Sequence, residues 1–131
     1  MITRLATLAA VITMTLVVAG CGDSGTEADK RGIGAQCAAS KDCTETGQVC
    51  LTEFKGGYCG SKGCTADNDC PTGSACVTEN GTNFCFRVCA DKTECNVNRD
   101  VANEANCSSS VTFVDSKAKG KACLPPSSGT K

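Results

Sequence analysis

The chain has 131 residues, of which 13 are cysteine, five are aromatic, and none is tryptophan or histidine. So short a chain with so few large side chains has little core to bury, and its cysteine content is typical of exported, disulfide-bonded scaffolds. The formal net charge of −1 argues against a general nucleic-acid binder. The absence of histidine removes the commonest general base and metal ligand.

The first twenty residues have the pattern of an export signal. Arg4 precedes an apolar stretch from Leu5 to Val18, and small residues follow. The stretch is short for crossing a hydrocarbon core but suits a secretory signal peptide. We therefore assign 1–20 to a signal peptide, and 21–33 to a segment that begins at Cys21 and continues as a flexible, polar tether.

The end of this signal, Val18-Ala19-Gly20-Cys21, resembles the lipobox of bacterial lipoproteins. In that family the signal is cut before the cysteine, whose sulfur carries a diacylglycerol. The resemblance implies that Cys21 is the lipidated N-terminus of an envelope protein, and Gly22 in place of Asp implies the outer membrane. Cleavage after Val17-Val18-Ala19 by an ordinary signal peptidase, or an uncleaved anchor, are the alternatives.

The other twelve cysteines, an even number that can all pair, repeat one pattern three times. Five residues separate the first two cysteines of each repeat, and an acidic residue precedes the second, as Asp42, Asp69 and Glu94. The pattern predicts three four-cysteine modules, the third divergent, and a disordered tail. The modules span 34–60, 61–86 and 87–124, and the tail spans 125–131.

Module two carries the clearest local signal, the dipeptide Asn80-Gly81. Asn-Gly favours a type I′ turn, whose central residues both have positive φ, and so predicts a β-hairpin. Counting outward from the turn places Cys76 opposite Cys85. Module one is predicted to form a looser hairpin around Phe54-Lys55-Gly56-Gly57.

Module three has its own features. Residues 98–106 predict a helical turn, and Val111 to Asp115 alternates as a strand does, with Gly120 returning the chain to Cys123. The lysines that make the C-terminal stretch basic are assigned to a solvated hairpin tip, with contact to anionic lipid or polysaccharide as the alternative. They are Lys117, Lys119, Lys121 and Lys131. The resulting fold class is small and disulfide-rich: three tandem four-cysteine modules with short β-hairpins and little regular secondary structure.

Four cysteines in a module allow three pairings, and sequence alone does not choose among them. We favour first-to-third and second-to-fourth pairing, because Cys76 and Cys85 share one face of the predicted hairpin and can both reach back to the preceding loop. The rival pairing joins Cys76 directly to Cys85. The favoured bridges are Cys37–Cys50, Cys43–Cys59, Cys64–Cys76, Cys70–Cys85, Cys89–Cys107 and Cys95–Cys123.

Module one resembles a repeated unit of cysteine-rich lipoproteins from myxobacteria and related bacteria. The matching residues are Gly34-Ala-Gln-Cys37, Asp42-Cys43, Gly47-Gln-Val-Cys50 and Gly57-Tyr58-Cys59. The four-cysteine spacing is also similar to that of Dickkopf, prokineticin and colipase-like modules, although their adjacent cysteine pair is absent. The first resemblance implies an exported, lipid-anchored architecture and no particular activity.

The residues do not form a recognisable catalytic or metal-binding pattern. Without histidine or a free mature cysteine, no nucleophile–base pair is singled out. Cys85-Phe-Arg-Val-Cys89 lacks the spacing of a zinc knuckle, and Asp67-Asn68-Asp69 is interpreted as turn-building, with calcium ligation as the alternative. We predict no catalytic residue, metal or cofactor.

The function predicted from these features is a non-enzymatic, lipid-anchored protein of the cell envelope that presents disulfide-stapled modules for binding or structure. A secreted inhibitor or toxin-like module is the alternative, and an enzyme of unknown class is the third. Expected partners are the membrane, through the lipid, and an envelope protein or polysaccharide. Recognition usually occurs on loops that a rigid scaffold holds in place. The candidate binding tips are Phe54, Lys55, Glu79, Asn80 and Gly81.

Overall fold

The computed structural model describes residues 32–115 and 120–129. The predicted signal peptide, Cys21, most of the tether and three of the C-terminal lysines lie outside these ranges. Within them, the secondary structure comprises short strands, 3₁₀ turns and a single helical turn α1 (Lys92–Cys95). The strands are β1 (Val49–Cys50), β2 (Cys59–Gly60), β3 (Ser74–Glu79), β4 (Thr82–Arg87), β5 (Asn106–Ser108), β6 (Thr112–Phe113) and β7 (Ala122–Leu124). The 3₁₀ turns are Ser40–Asp42, Asp67–Asp69 and Val101–Asn103. The small disulfide-rich fold class is confirmed.

The three modules share one plan, in which a short turn leads to the second cysteine and an antiparallel strand pair carries the third and fourth. The third and fourth cysteines of each module are direct cross-strand partners. In module two, β3 and β4 pair over six residues, with Cys76 opposite Cys85. Asn80 and Gly81 have φ values of 51° and 78°, as the type I′ turn requires. The hairpin prediction is confirmed.

Six disulfides join the twelve cysteines of the described residues, each within one module. The bridges are Cys37–Cys50, Cys43–Cys59, Cys64–Cys76, Cys70–Cys85, Cys89–Cys107 and Cys95–Cys123. They are the same pairs that the sequence favours. In each module, three of the four Sγ atoms lie within 4.8 Å of one another. Because these sulfurs are already bonded in bridges, their proximity reflects two disulfides packed side by side.

The acidic residue before each second cysteine builds the turn that carries that cysteine. Asp42 Oδ2 accepts hydrogen bonds from the backbone N–H groups of Ala38 and Ala39, both at 2.9 Å. Asp69 accepts the corresponding pair in module two, and Glu94 accepts one in module three. These bonds hold the pKa of the Asp42 and Asp69 carboxyls below its ordinary value. The turn-building interpretation is confirmed.

Modules one and two pool their aromatic side chains in one core. Phe54 and Tyr58 meet Phe84 and Phe86, with ring centroids 5.1 to 5.9 Å apart and no ring more than 4% exposed. Phe84 and Phe86 alternate on β4, so both face this core while Cys85 between them faces the opposite side and its bridge. The chain has too few large apolar side chains for three separate cores, but it has enough for one core that modules one and two share.

The predicted strand at 111–115 forms in part but pairs with a different module. Its residues in β6 pair with β3, placing Phe113 opposite Val77, and give a three-stranded sheet of order β4-β3-β6. The strand of Cys123 pairs instead with β5. Module three does contain an antiparallel strand pair, but the predicted strand at 111–115 is not part of it, because Phe113 packs against the shared core and its strand pairs with module two.

The folded body extends beyond the predicted boundaries at both ends. Ile33, placed in the tether, is 4% exposed and belongs to the core. The disordered tail predicted at 125–131 is wrong for residues 125–129. The Lys55 N–H donates to the Pro126 carbonyl at 2.7 Å, and Pro125 is buried. Residues 125–129 are ordered because their backbone forms hydrogen bonds with the module-one turn.

Candidate binding cleft

A cleft of about 630 Å³ opens where the first two hairpin tips meet the C-terminal segment. Module one contributes Glu53 and Phe54, and module two contributes Glu79 and Asn80. Pro125 comes from the segment after module three. The volume falls in the range of about 300–1,000 Å³ that small-ligand pockets occupy. Two tips that are 25 residues apart in sequence thus form one concave surface.

The cleft has an apolar floor and a polar rim. Phe54, Phe84 and Pro125 are buried and form the floor, exposing little of their surface. Glu53 and Glu79 are half-buried and belong to the more exposed part of the lining, the rim. Among the described residues that line the cleft, none carries a positive charge.

Both carboxylates are held on well-fixed backbone. Glu79 ends β3 and pairs with Thr82 across the two-residue turn. The Glu53 carbonyl accepts a hydrogen bond from the Ser128 N–H at 2.9 Å. The Glu53 carboxylate lies 3.8 Å from Lys62 Nζ, and water reaches both side chains, which are 37% and 58% exposed. An ion pair of this kind contributes little to stability and exchanges readily.

The structure brings together three of the five predicted tip residues. Phe54, Glu79 and Asn80 line the cleft, whereas Lys55 and Gly81 are exposed and do not. Phe54 is only 4% exposed, because its ring packs against the other aromatic rings, and it lines the cleft from this buried position.

Sequence reasoning missed several lining residues, among them Glu53 and Pro125. Glu53 stands directly before the predicted tip, and its charge beside a candidate loop was an available signal. Pro125 was assigned to the tail, although the apolar run Leu124-Pro125-Pro126 indicates a segment that can pack against a core.

A buried arginine of module three fixes the turn that carries the module-one side of the cleft. Arg99 is 9% exposed, and its guanidinium donates four hydrogen bonds to backbone carbonyls. The acceptors are Asn103 at 2.8 Å, Gly34 at 3.0 Å, Gly57 at 2.9 Å and Lys55 at 2.7 Å. Burial lowers the pKa of Arg99 from its very high ordinary value. No signal in the sequence distinguishes this arginine from an exposed one.

Gln36 extends the same contact between modules one and three. Its Nε2 donates to Asp100 Oδ2 at 2.8 Å, and its Oε1 accepts from the Asp100 N–H and from Asn103 Nδ2. The Gln36 N–H donates to the Asn98 carbonyl at 3.0 Å. Module three therefore holds module one through polar contacts on both side chain and backbone.

Comparison of the chain with protein-family models, with curated proteins and with solved structures finds no match. In residues 32–115 and 120–129, no helix has the length and apolar character needed to span a bilayer. The six bridges, the cleft and the lipobox-like segment are the features from which a function can be argued.

Proposed function

We propose that this protein is a lipid-anchored protein of the cell envelope that holds a rigid, disulfide-bonded binding module outside the cytoplasm. The observation that carries the proposal is the cysteine pairing. Twelve of the 13 cysteines are bridged to one another within the described residues. Cys21 therefore has no other cysteine of this chain with which to pair.

Export is supported by the number of bridges. Disulfides form and persist outside the cytoplasm, so six of them favour an exported chain and agree with a signal peptide at 1–20. Cys21 would then be available for the diacylglycerol that its resemblance to a lipobox implies. Two or more acyl chains on one residue are sufficient for stable anchoring, because each buried methylene contributes about 0.8 kcal/mol.

A binding role without catalysis is supported by the cleft. Six bridges make the hairpins rigid, and two hairpin tips and the C-terminal segment line the same concavity. Such loops on a rigid scaffold are where recognition usually occurs. The proposed partner is a component of the envelope, and we assign no chemical step to the protein.

Metabolic labelling with radioactive palmitate in a Gram-negative host tests the anchor. The wild type should be labelled and membrane-bound, whereas Cys21→Ala should be unlabelled and appear in the soluble fraction. Gly22→Ala is the matched control and should keep the label. Globomycin, which blocks lipoprotein signal cleavage, should cause the wild-type precursor to accumulate.

Two results would contradict the anchor. One is an unlabelled wild type cut after Ala19, which would leave the secreted inhibitor or toxin-like module as the better interpretation. The other is Cys21→Ala that stays labelled and membrane-bound, which would place any lipid on another residue.

A further inference from the structure

The charge of the cleft limits what it can bind. Glu53 and Glu79 are half-buried, and a ligand that covers them removes more of their water. Losing water around a carboxylate is costly unless a positive charge replaces it. Lys62 does not line the cleft, and its pair with Glu53 is long and accessible to water. A suitable ligand therefore brings its own positive charge.

The apolar floor limits the ligand further. Phe54, Phe84 and Pro125 line the same cleft as the two carboxylates and offer contact to hydrocarbon. Lysine and arginine side chains have an apolar stem and a charged head, and commonly lay the stem on apolar surface while the head reaches polar partners. A stem on this floor would place its head beside the two carboxylates.

Two other occupants fit the cleft less well. A divalent cation prefers several oxygen ligands and gains nothing from an apolar floor. Groups of three metal-ligating side chains occur in the described residues only among bridged cysteines. A neutral sugar brings no positive charge to replace the water lost around the two carboxylates. An anionic polysaccharide would also meet two like charges.

We infer that the cleft binds a lysine or arginine side chain on a peptide segment of a partner protein. The aliphatic stem lies on Phe54, Phe84 and Pro125, and the cationic head pairs with Glu53 and Glu79. This inference rests on the proposed binding function and names the chemistry that the same cleft recognises. Recognition requires both hairpin tips, because one carboxylate comes from module one and the other from module two.

Fluorescence anisotropy with short labelled peptides tests the inference on the full mature chain, purified from the envelope in detergent. The probes are Gly-Leu-Lys-Leu-Gly with blocked ends and its counterparts with arginine, glutamine or glutamate at the centre. The lysine and arginine peptides should bind about tenfold or more tightly than the glutamine peptide, and added salt should weaken them. The glutamate peptide should not bind.

Isosteric variants locate the site. Glu79→Gln and Glu53→Gln should each weaken lysine-peptide binding about tenfold, and the double variant should reduce it to the level of the glutamine peptide. Glu45→Gln is the matched control, because Glu45 is a half-buried acid of module one that does not line the cleft. It should bind as the wild type does. Bridge mapping under non-reducing conditions verifies that every variant keeps its six disulfides.

Equal binding of the lysine and glutamine peptides would overturn the inference, as would unchanged binding by the double variant. Binding of a polysaccharide with no binding of basic peptides would overturn it too. The palmitate label is read independently. A protein that carries the label but does not bind basic peptides would contradict the inferred ligand and support the lipid anchor. A protein that binds basic peptides but carries no label would support the ligand and contradict the anchor.

Discussion

Two contacts between modules meet at Tyr58 and differ in chemistry. The apolar joint, formed by Phe54, Tyr58, Phe84 and Phe86, connects modules one and two through ring contacts. The polar joint, formed by Arg99 with the carbonyls of residues 34, 55 and 57, connects modules one and three. Tyr58 belongs to the first joint, and the Arg99 guanidinium carbon lies 6.0 Å from its ring centroid.

The two joints differ in how strongly their contacts depend on the orientation of the groups that form them. Burial of apolar area depends little on angle, so rings can shift and still exclude water. The guanidinium must present several N–H groups to fixed carbonyls, and no other side chain has that planar arrangement. Because all six bridges lie within modules, the arrangement of the modules depends on non-covalent contacts such as these. The cleft, which spans modules, depends on them too.

The largest effect is expected at the apolar joint. Phe54→Ala should lower the free energy of unfolding by about 4 kcal/mol, because it leaves a cavity among the rings, whereas Phe54→Leu should cost about 1 kcal/mol. Urea unfolding with the bridges intact measures both. Val49→Ala is the control, since Val49 is exposed in the same module and should change the value by less than about 0.5 kcal/mol. If Phe54→Ala and Phe54→Leu lowered the free energy of unfolding by similar amounts, the stability of the joint would depend on the shape of the ring and not on its volume.

A somewhat smaller loss is expected at the polar joint. Arg99→Lys should cost about 3 kcal/mol, because one ammonium cannot satisfy the carbonyls that four guanidinium N–H groups satisfy. Hydrogen exchange of the turn at 54–57 should accelerate in the same variant. The nearby exposed Val101→Ala should change neither measurement. If Arg99→Lys kept the stability of the wild type, the joint would require a positive charge at this position but not the planar arrangement of the guanidinium N–H groups.

The smallest effect concerns protonation of Tyr58, the only tyrosine in the chain. Burial raises the pKa of its phenol well above the ordinary 10.0. The folded state therefore keeps a proton that the unfolded state releases near that value. Its contribution to stability is full below about pH 10 and declines as the pH rises further.

An absorbance titration of tyrosinate measures this shift. At a pH about one unit above 10, the folded wild type should show little tyrosinate, while the tyrosine of the unfolded chain should be about nine-tenths ionised. Phe54→Ala should lower the apparent pKa more than Arg99→Lys, because desolvation is the main cause of the shift. If Tyr58 of the folded wild type titrated with its ordinary pKa, water would reach its phenol, and the two joints would not exclude water from it.

Much of each module could be predicted because its contacts are local. Asn80-Gly81 specifies the turn, the turn sets Cys76 opposite Cys85, and their shared face directs both sulfurs back to the preceding loop. The bridges join residues separated by 12 to 28 positions. Asp69 bonds to amides within four residues of itself, so its role follows from spacing alone.

The arrangement of the modules could not be predicted in this way. Arg99 donates to carbonyls 42 to 65 residues away, and nothing in its neighbourhood marks it as buried. Phe113 leaves its own module for β3, and Pro125 packs where a disordered tail was expected. Each outcome depends on which surfaces meet after the hairpins form, which no periodic pattern records.

The sequence by itself determined the repeated module and its hairpins and favoured one set of bridges, because turn chemistry and cysteine spacing act over short stretches of chain. Only the tertiary structure decided how the modules dock, which side chains the docking buries, and that Glu53 and Glu79 border one cleft. The physical reason is that apolar burial and buried hydrogen bonding reward whichever distant surfaces fit together, and that fit exists only in three dimensions.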